Sequence, residues 1–175
     1  MLHLVEGLNG AGKTTYIDQM VGVNPKIAHK LHTIWLNPKR EIDSVFLSLS
    51  GIKSGIKDQL SSILAMSYIT IAHTIKQLSV VGVENHIYMD RSWISGYIYG
   101  SISYSDYNLL VEQYNNILGY GWDVIWINTP IDICKSRYNA NRPYVENLKW
   151  DDAYHGFVDT MKDLKDRAQI IKEGK

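Results

Sequence analysis

Short apolar runs alternate with longer amphipathic segments along this chain, and the two kinds of pattern define most of its elements. Leu2 to Glu6, Ala28 to Leu36, His86 to Met89, Asp123 to Asn128 and a weaker stretch around Gln169 to Ile171 read as strands. Several are nearly continuous in apolar character, as expected of parallel strands covered on both faces. Between them, Ile56, Leu60, Ile63, Leu64, Ile71, Ile75 and Leu78 recur at helical spacing and predict a long core helix. Tyr107, Leu110, Val111, Tyr114, Ile117 and Leu118 repeat the pattern, with Ser105 as the expected N-cap and Gly119 as the stop. A further helix, about Ile131 to Ala140, is expected after Pro130 and leads into the polar stretch NANRPYVENLK, a candidate lid over residues 138–149. Strands alternating with helices, without repeat or low-complexity linker, predict one α/β domain spanning residues 1–175.

Composition narrows this only slightly. A chain of 175 residues can bury a sizeable core without staples, and its one cysteine, Cys134, forms no intrachain disulfide. That cysteine count, and the absence of a charged-then-apolar leader, predict a cytoplasmic protein. The most apolar stretch, Ile63 to Ile75, is interrupted by Ser67 and His73 and falls short of a membrane span; it reads as a buried helix. Eighteen basic and eighteen acidic side chains give zero net charge, so no global field draws nucleic acid or an anionic membrane. Six histidines are scattered; His29 and His32 are the closest pair in sequence, and no zinc-ligand spacing occurs. Each histidine is expected to be structural or superficial.

The chemistry is announced by VEGLNGAGKTTYI, residues 5–17. Gly7, Gly12, Lys13 and Thr14 satisfy G-x-x-x-x-G-K-[ST], between an expected strand and an expected helix. Gly7, Gly10 and Gly12 can turn through positive φ and aim successive N–H groups at one anion, and the helix start adds its partial charge. Four fixed positions arise by chance in about one chain in two hundred of this length. The loop formed by Gly7, Asn9, Gly10, Ala11, Gly12, Lys13, Thr14 and Thr15 is therefore the expected ATP site, with Lys13 on the β and γ phosphates and the Thr14 hydroxyl on a magnesium ion. In open parallel sheets ligands bind beyond the carboxyl ends of strands. The strand HIYMD ends there in Asp90, a candidate second magnesium anchor, followed by Arg91, a candidate grip on an acceptor phosphate. After the fourth strand, Arg137 and Arg142 are candidates to neutralise charge on the transferred phosphoryl group.

These blocks together resemble the thymidylate kinase and deoxynucleoside kinase branch of the phosphate-loop kinases. The likeness runs through VEGLNGAGKTT, MDRSWISGYIYG and WINTPIDICKSRYNANRPYVE, in order and over most of the chain. Asp90, Arg91, Ser95 and Tyr99 occupy the positions of the Asp-Arg block of thymidylate kinases; Arg91 and Ser92 also fit the Glu-Arg-Ser of deoxynucleoside kinases. Arg137, Arg142 and Glu146 align with the lid. The resemblance implies a three-layer fold with a central parallel sheet of about five strands flanked by helices. It implies that Lys13, Asp90, Arg91, Arg137 and Arg142 are catalytic, that Thr14 and Asp90 hold Mg2+, and that ATP is the donor. Two departures stand out: Asn9 replaces the loop aspartate of thymidylate kinases, and NPKREID, residues 37–43, stands where their Arg-Glu-Pro-Gly-Gly segment belongs.

The acceptor is read from charge. A sugar hydroxyl benefits from a carboxylate base, whereas a monophosphate chiefly needs cations to hold it. Within NPKREID, Lys39 and Arg40 suit a phosphate, and Glu41 or Asp43 a base; a solvated turn explains the segment equally well. Arg91, Ser95, Tyr99, Arg40 and Glu41 form the expected acceptor site, with Trp35, Trp93 and Tyr97 as further aromatic candidates. The expected acceptor is a deoxynucleoside monophosphate, dTMP or a related deoxypyrimidine nucleotide, with a free deoxynucleoside as the alternative. A nucleotide within DNA is a third reading, against which zero net charge argues mildly. A nucleotide-dependent switch or motor is disfavoured by the lack of N-K-x-D and D-x-x-G segments. A homodimer is compatible with the sequence, and no membrane partner is expected.

Overall fold

The structure, a computed structural model, describes residues 1–32, 55–80, 85–138 and 149–172. The expectations for Leu36, Trp35, NPKREID with Arg40 and Glu41, Arg142, Glu146 and most of the lid lie outside these residues.

Element order is β1 (Leu2–Glu6), α1 (Lys13–Val23), β2 (Ala28–His32), α2 (Gly55–Val80), β3 (His86–Asp90), α3 (Trp93–Ile98), α4 (Tyr104–Leu118), β4 (Trp122–Asn128), α5 (Ile131–Arg137), α6 (Trp150–Asp163) and β5 (Ala168–Lys172). The strands form one sheet in the order β2-β3-β1-β4-β5, and every pairing is parallel. All five residues of β1 are buried, which is why LHLVE carries no regular polar alternation. The order places β1 between β3, reached after the excursion to β2, and β4, where the chain turns to the other half. A switch point of this kind leaves a crevice beyond the carboxyl ends of β1 and β3.

Aromatic rings dominate one face. Trp93, completely buried, meets Tyr107 at 5.4 Å, Tyr114 at 5.4 Å and Trp122 at 6.1 Å between ring centroids. Trp93 is thus core and not pocket lining, and Tyr97 packs its ring on Tyr107 at 4.4 Å.

Three helical expectations need correction. The N-cap of α4 is Ser103, whose hydroxyl accepts from the Asp106 backbone N–H at 3.2 Å, and not Ser105, which lies inside the first turn. Asp106 also accepts from the Ser103 hydroxyl at 2.9 Å and from Ser61 of α2, so the cap is locked to the neighbouring helix. The long helix α2 is not buried all round: Ser61, Ala65, Ala72 and Ile75 form its inner stripe, while Ile63, Met66 and Leu78 are more than half exposed. Small residues face inward because α2 lies close against α4, where Tyr114 Oη donates to the Tyr68 carbonyl. Finally, α3 and α6 were not among the expected elements, although Trp150, Ala153, Phe157, Thr160 and Met161 of α6 are buried at plain helical spacing. Among the described residues, no helix is long and apolar enough to cross a membrane.

Candidate active site

The loop between β1 and α1 is shaped by close approach. Gly7 and Gly10 have positive φ, and a Cβ would stand 2.7 Å from the Ile127 carbonyl oxygen at Gly7 and 2.5 Å from that of Cys134 at Gly10. Only glycine fits against β4 and α5 at these points. Ala11 is buried, and its carbonyl accepts from the Thr129 hydroxyl at 2.8 Å, tying the loop to the end of β4. Gly12 is the left-handed N-cap of α1 and supplies no side-chain cap, so the N–H groups of the first turn, which includes Thr14 and Thr15, are left for a ligand.

Lys13 opens that helix. Its ammonium donates to the Gly7 and Leu8 carbonyls at 3.0 and 2.8 Å and is only 6% exposed. Burial, and then the charge of Arg91, lower its pKa to about 7, against the opposing pull of Asp90 and Glu6. Across the crevice, the Thr14 hydroxyl donates to Asp90 Oδ2 at 2.8 Å. The register that pairs Val5 with Asp90 brings the end of β3 level with the loop. A hydroxyl and a carboxylate in contact are hard oxygen donors of the kind magnesium takes. No group of three or more His, Cys, Asp or Glu side chains among the described residues forms a cage of its own. The Thr14-Asp90 pair fits an ion that takes its remaining ligands from water and substrate.

Arg91 stands beside this pair in the left-handed region, φ 68°, the one such non-glycine residue among those described. Its guanidinium donates to Asn9 Oδ1 in the loop and to Ser95 Oγ at 3.4 Å, and lies 5.5 Å from the centre of the Tyr99 ring. The glycine-rich loop and the Asp-Arg segment are thus one hydrogen-bonded unit, joined through Asn9, the position at which the sequence departs from thymidylate kinases. Ser95 is completely buried and meets the arginine instead of open space. Arg137 is exposed in the last turn of α5, one turn beyond Cys134, whose backbone abuts Gly10.

Sequence reasoning missed Glu6. The carboxylate is fully buried and accepts from the Ser92 backbone N–H at 2.7 Å, from the Ser92 hydroxyl at 2.6 Å and from the Ser95 hydroxyl. Burial pushes its pKa above the ordinary carboxylate value, opposed by the Ser92 and Ser95 hydrogen bonds and then by the Arg91 and Lys13 charges. A charged residue ending a buried strand was the available signal.

The comparisons agree with this architecture. A deoxyadenosine kinase from M. mycoides, solved with products dCMP and a flexible dCDP bound, superposes with TM-score 0.57 at 15% identity over 99% of this chain and 90% of that one. The fold is that of the phosphate-loop kinases. The same M. mycoides enzyme with bound dCTP gives TM-score 0.50 at 17% identity, covering 98% of this chain and 90% of the other. A thymidylate kinase from Ehrlichia chaffeensis matches at 18% identity and TM-score 0.48, over 100% of this chain and 88% of its own. No protein-family model matches the chain, and no curated protein matches it by sequence.

Proposed function

We propose that the protein is an ATP- and magnesium-dependent kinase of small deoxynucleotide metabolism that phosphorylates a deoxynucleoside monophosphate, dTMP or a related deoxypyrimidine nucleotide. The observation that carries this reading is the bond from Arg91 to Asn9, which sets an acceptor-side cation directly against the donor loop. In the proposed reaction the loop N–H groups and Lys13 bind the donor phosphates, and Thr14 and Asp90 hold the ion. Magnesium held there would offset the charge of the donor phosphates. Arg91 grips the acceptor phosphate and orients its oxygen for in-line attack on the γ phosphorus, with ADP leaving. Arg137 and Arg142 are assigned to the charge on the transferred group. Arg40 and Glu41 are assigned to the acceptor.

Charge supports a monophosphate. The Asp90-Arg91 pair at the end of β3 places a cation at the crevice, and a monophosphate chiefly needs a cation to hold it. A second reading, a deoxynucleoside kinase, is favoured by the fold shared with the M. mycoides deoxyadenosine kinase and by the Arg91-Ser92 pair.

The test is an ADP-release assay with ATP and magnesium over all deoxynucleoside monophosphates, free deoxynucleosides, and single- and double-stranded DNA. Turnover with one or a few monophosphates is expected. Turnover with nucleosides or DNA alone would reassign the acceptor, and acceptor-independent hydrolysis would make the protein a different class of nucleotide hydrolase. Lys13→Ala is expected to abolish transfer with the fold intact. Arg91→Ala is expected to raise the acceptor KM about 10- to 100-fold, the scale of one charged hydrogen bond, with the KM for ATP much less affected.

A further inference from the structure

We propose that Glu6 is a positioning residue: from beneath the site it holds Arg91 against the phosphate loop and thereby sets affinity for the acceptor. The proposal rests on the reading of Arg91 as the acceptor's cation. Glu6 ends β1 in register with Trp126 of β4 and is completely buried. An apolar residue would serve packing there without the several kcal/mol needed to strip water from a carboxylate. What the carboxylate does have is three donors, all from the five residues that follow Asp90.

Those contacts define the arginine. Its left-handed backbone is unfavourable by about 1–2 kcal/mol for a residue with a Cβ. It persists because both flanking N–H groups are fixed on the last residues of β1: that of Arg91 on the Val5 carbonyl at 3.0 Å, that of Ser92 on Glu6 at 2.7 Å. The Ser95 hydroxyl then donates to Glu6 and accepts from Arg91 Nη1, while Arg91 Nη2 reaches Asn9. Glu6, Ser95, Arg91 and Asn9 form a ring closed through the loop backbone. The carboxylate also faces the charges of both Arg91 and Lys13, whose mutual repulsion it offsets. A glutamine of equal size would keep the volume but offer one acceptor oxygen and an N–H2 group. Turned toward Ser95, that group would compete with Arg91 for the hydroxyl oxygen.

The experiment compares Glu6→Gln, Glu6→Asp and Ser95→Ala with the unaltered chain for both KM values, kcat and thermal unfolding. Glu6→Gln and Ser95→Ala are each expected to raise the acceptor KM at least about tenfold, with kcat and the KM for ATP within about threefold. Glu6→Asp, which keeps the charge, is expected to fall between. In an Arg91→Ala background, Glu6→Gln should add nothing further to the acceptor KM. A uniform fall in kcat with both KM values unchanged, or additivity in that background, would overturn the proposal. Should Glu6→Gln fail to fold, Glu6→Asp carries the test, compared in the unaltered and the Arg91→Ala backgrounds. If no acceptor is turned over by the unaltered chain, the functional reading has failed and the positioning role is read directly from side-chain arginine NMR. The Arg91 guanidinium resonance, assigned by its loss in Arg91→Ala, should then shift in Ser95→Ala and Glu6→Gln; an unmoved resonance in both would sink the idea.

Discussion

At the head of α1 the Lys13 ammonium meets two peptide carbonyls and almost no water, and its proton is held weakly as a result. With the pKa lowered from 10.5 to about 7, the sign of the linkage follows. Below about pH 7 both folded and unfolded chains carry the proton, and the folded chain bears the whole cost of burying the charge. Between that point and 10.5 the unfolded chain binds more protons, so this residue makes the ligand-free protein more stable as pH rises. Donor phosphates reverse the preference by favouring the charged form. Binding of magnesium ATP at about pH 8 is therefore expected to take up close to one proton, with affinity falling as pH rises further. Calorimetry in two buffers of different ionisation enthalpy measures it: the apparent heats should differ for the unaltered chain and coincide for Lys13→Ala. Equal heats in both proteins would mean that Lys13 is already charged before the nucleotide arrives. At this scale the sequence was informative wherever chemistry is local. Gly7, Gly12, Lys13 and Thr14 lie within one loop, and Asp90 announces itself at the end of a strand. Glu6 escaped because its partners Ser92 and Ser95 are more than eighty residues away, and nothing in VEG says which side chains will close over it.

Strands and helices carry a second polar network at the opposite end of the sheet. His3 of β1 is nearly buried; its Nδ1 meets Asp123 Oδ1 of β4 at 2.7 Å and its Nε2 meets His86 Nδ1 of β3 at 2.8 Å. Gln169 of β5 donates to Asp123 Oδ2 at 3.2 Å, so one hydrogen-bonded line crosses four strands. The His3 ring also stacks on Tyr88 at 4.5 Å. Ring packing and ring nitrogens can be separated by His3→Phe, which retains the stack and removes both polar contacts. That variant is expected to lower stability by about 1–3 kcal/mol, because Asp123 stays buried without its histidine, and denaturant unfolding reads the change. In a His3→Phe, Asp123→Asn double variant the loss should be smaller than the sum of the single losses; additive losses would show that the two side chains act independently. His29 and His32 are the closest histidines in sequence, whereas parallel pairing of β1 with β3 brings His3 and His86, 83 residues apart, into contact. The same limit explains the misplaced cap: Ser103 and Ser105 are equally good caps locally, and Ser61 from another helix decides between them through its bonds to Asp106 and the Ser103 N–H. Helix α6 differs, since Trp150, Ala153, Phe157, Thr160 and Met161 recur at helical spacing in the sequence itself.

For the whole molecule, the strand order concentrates the chemistry. With β3 and β4 flanking β1, the phosphate loop, Asp90 and Thr129 converge at the carboxyl end of the sheet, while the zero net charge supplies no general attraction for anions. Affinity must then come from the few cations at that crevice. The five-stranded parallel sheet was legible in outline because short strand-like runs alternate with helical periodicity; which strands are neighbours was not, since parallel crossovers leave no turn signature in the sequence. Lys13 and Arg91 repel each other, a repulsion Glu6 and Asp90 only oppose, and two anionic ligands bound together would relieve it further than one. A bisubstrate compound joining adenosine to the acceptor nucleoside through an oligophosphate should therefore bind more tightly than ATP or the acceptor alone. At about a hundred times its Kd it is expected to stabilise the fold by about 2.7 kcal/mol, which raises Tm by roughly 5–10 °C for a chain of this size. ATP with magnesium at the same concentration should give a smaller shift, and Arg91→Ala should bring the two shifts together. Equal shifts in the unaltered chain would mean that the crevice holds one nucleotide and that the acceptor side of the site is not formed by Arg91.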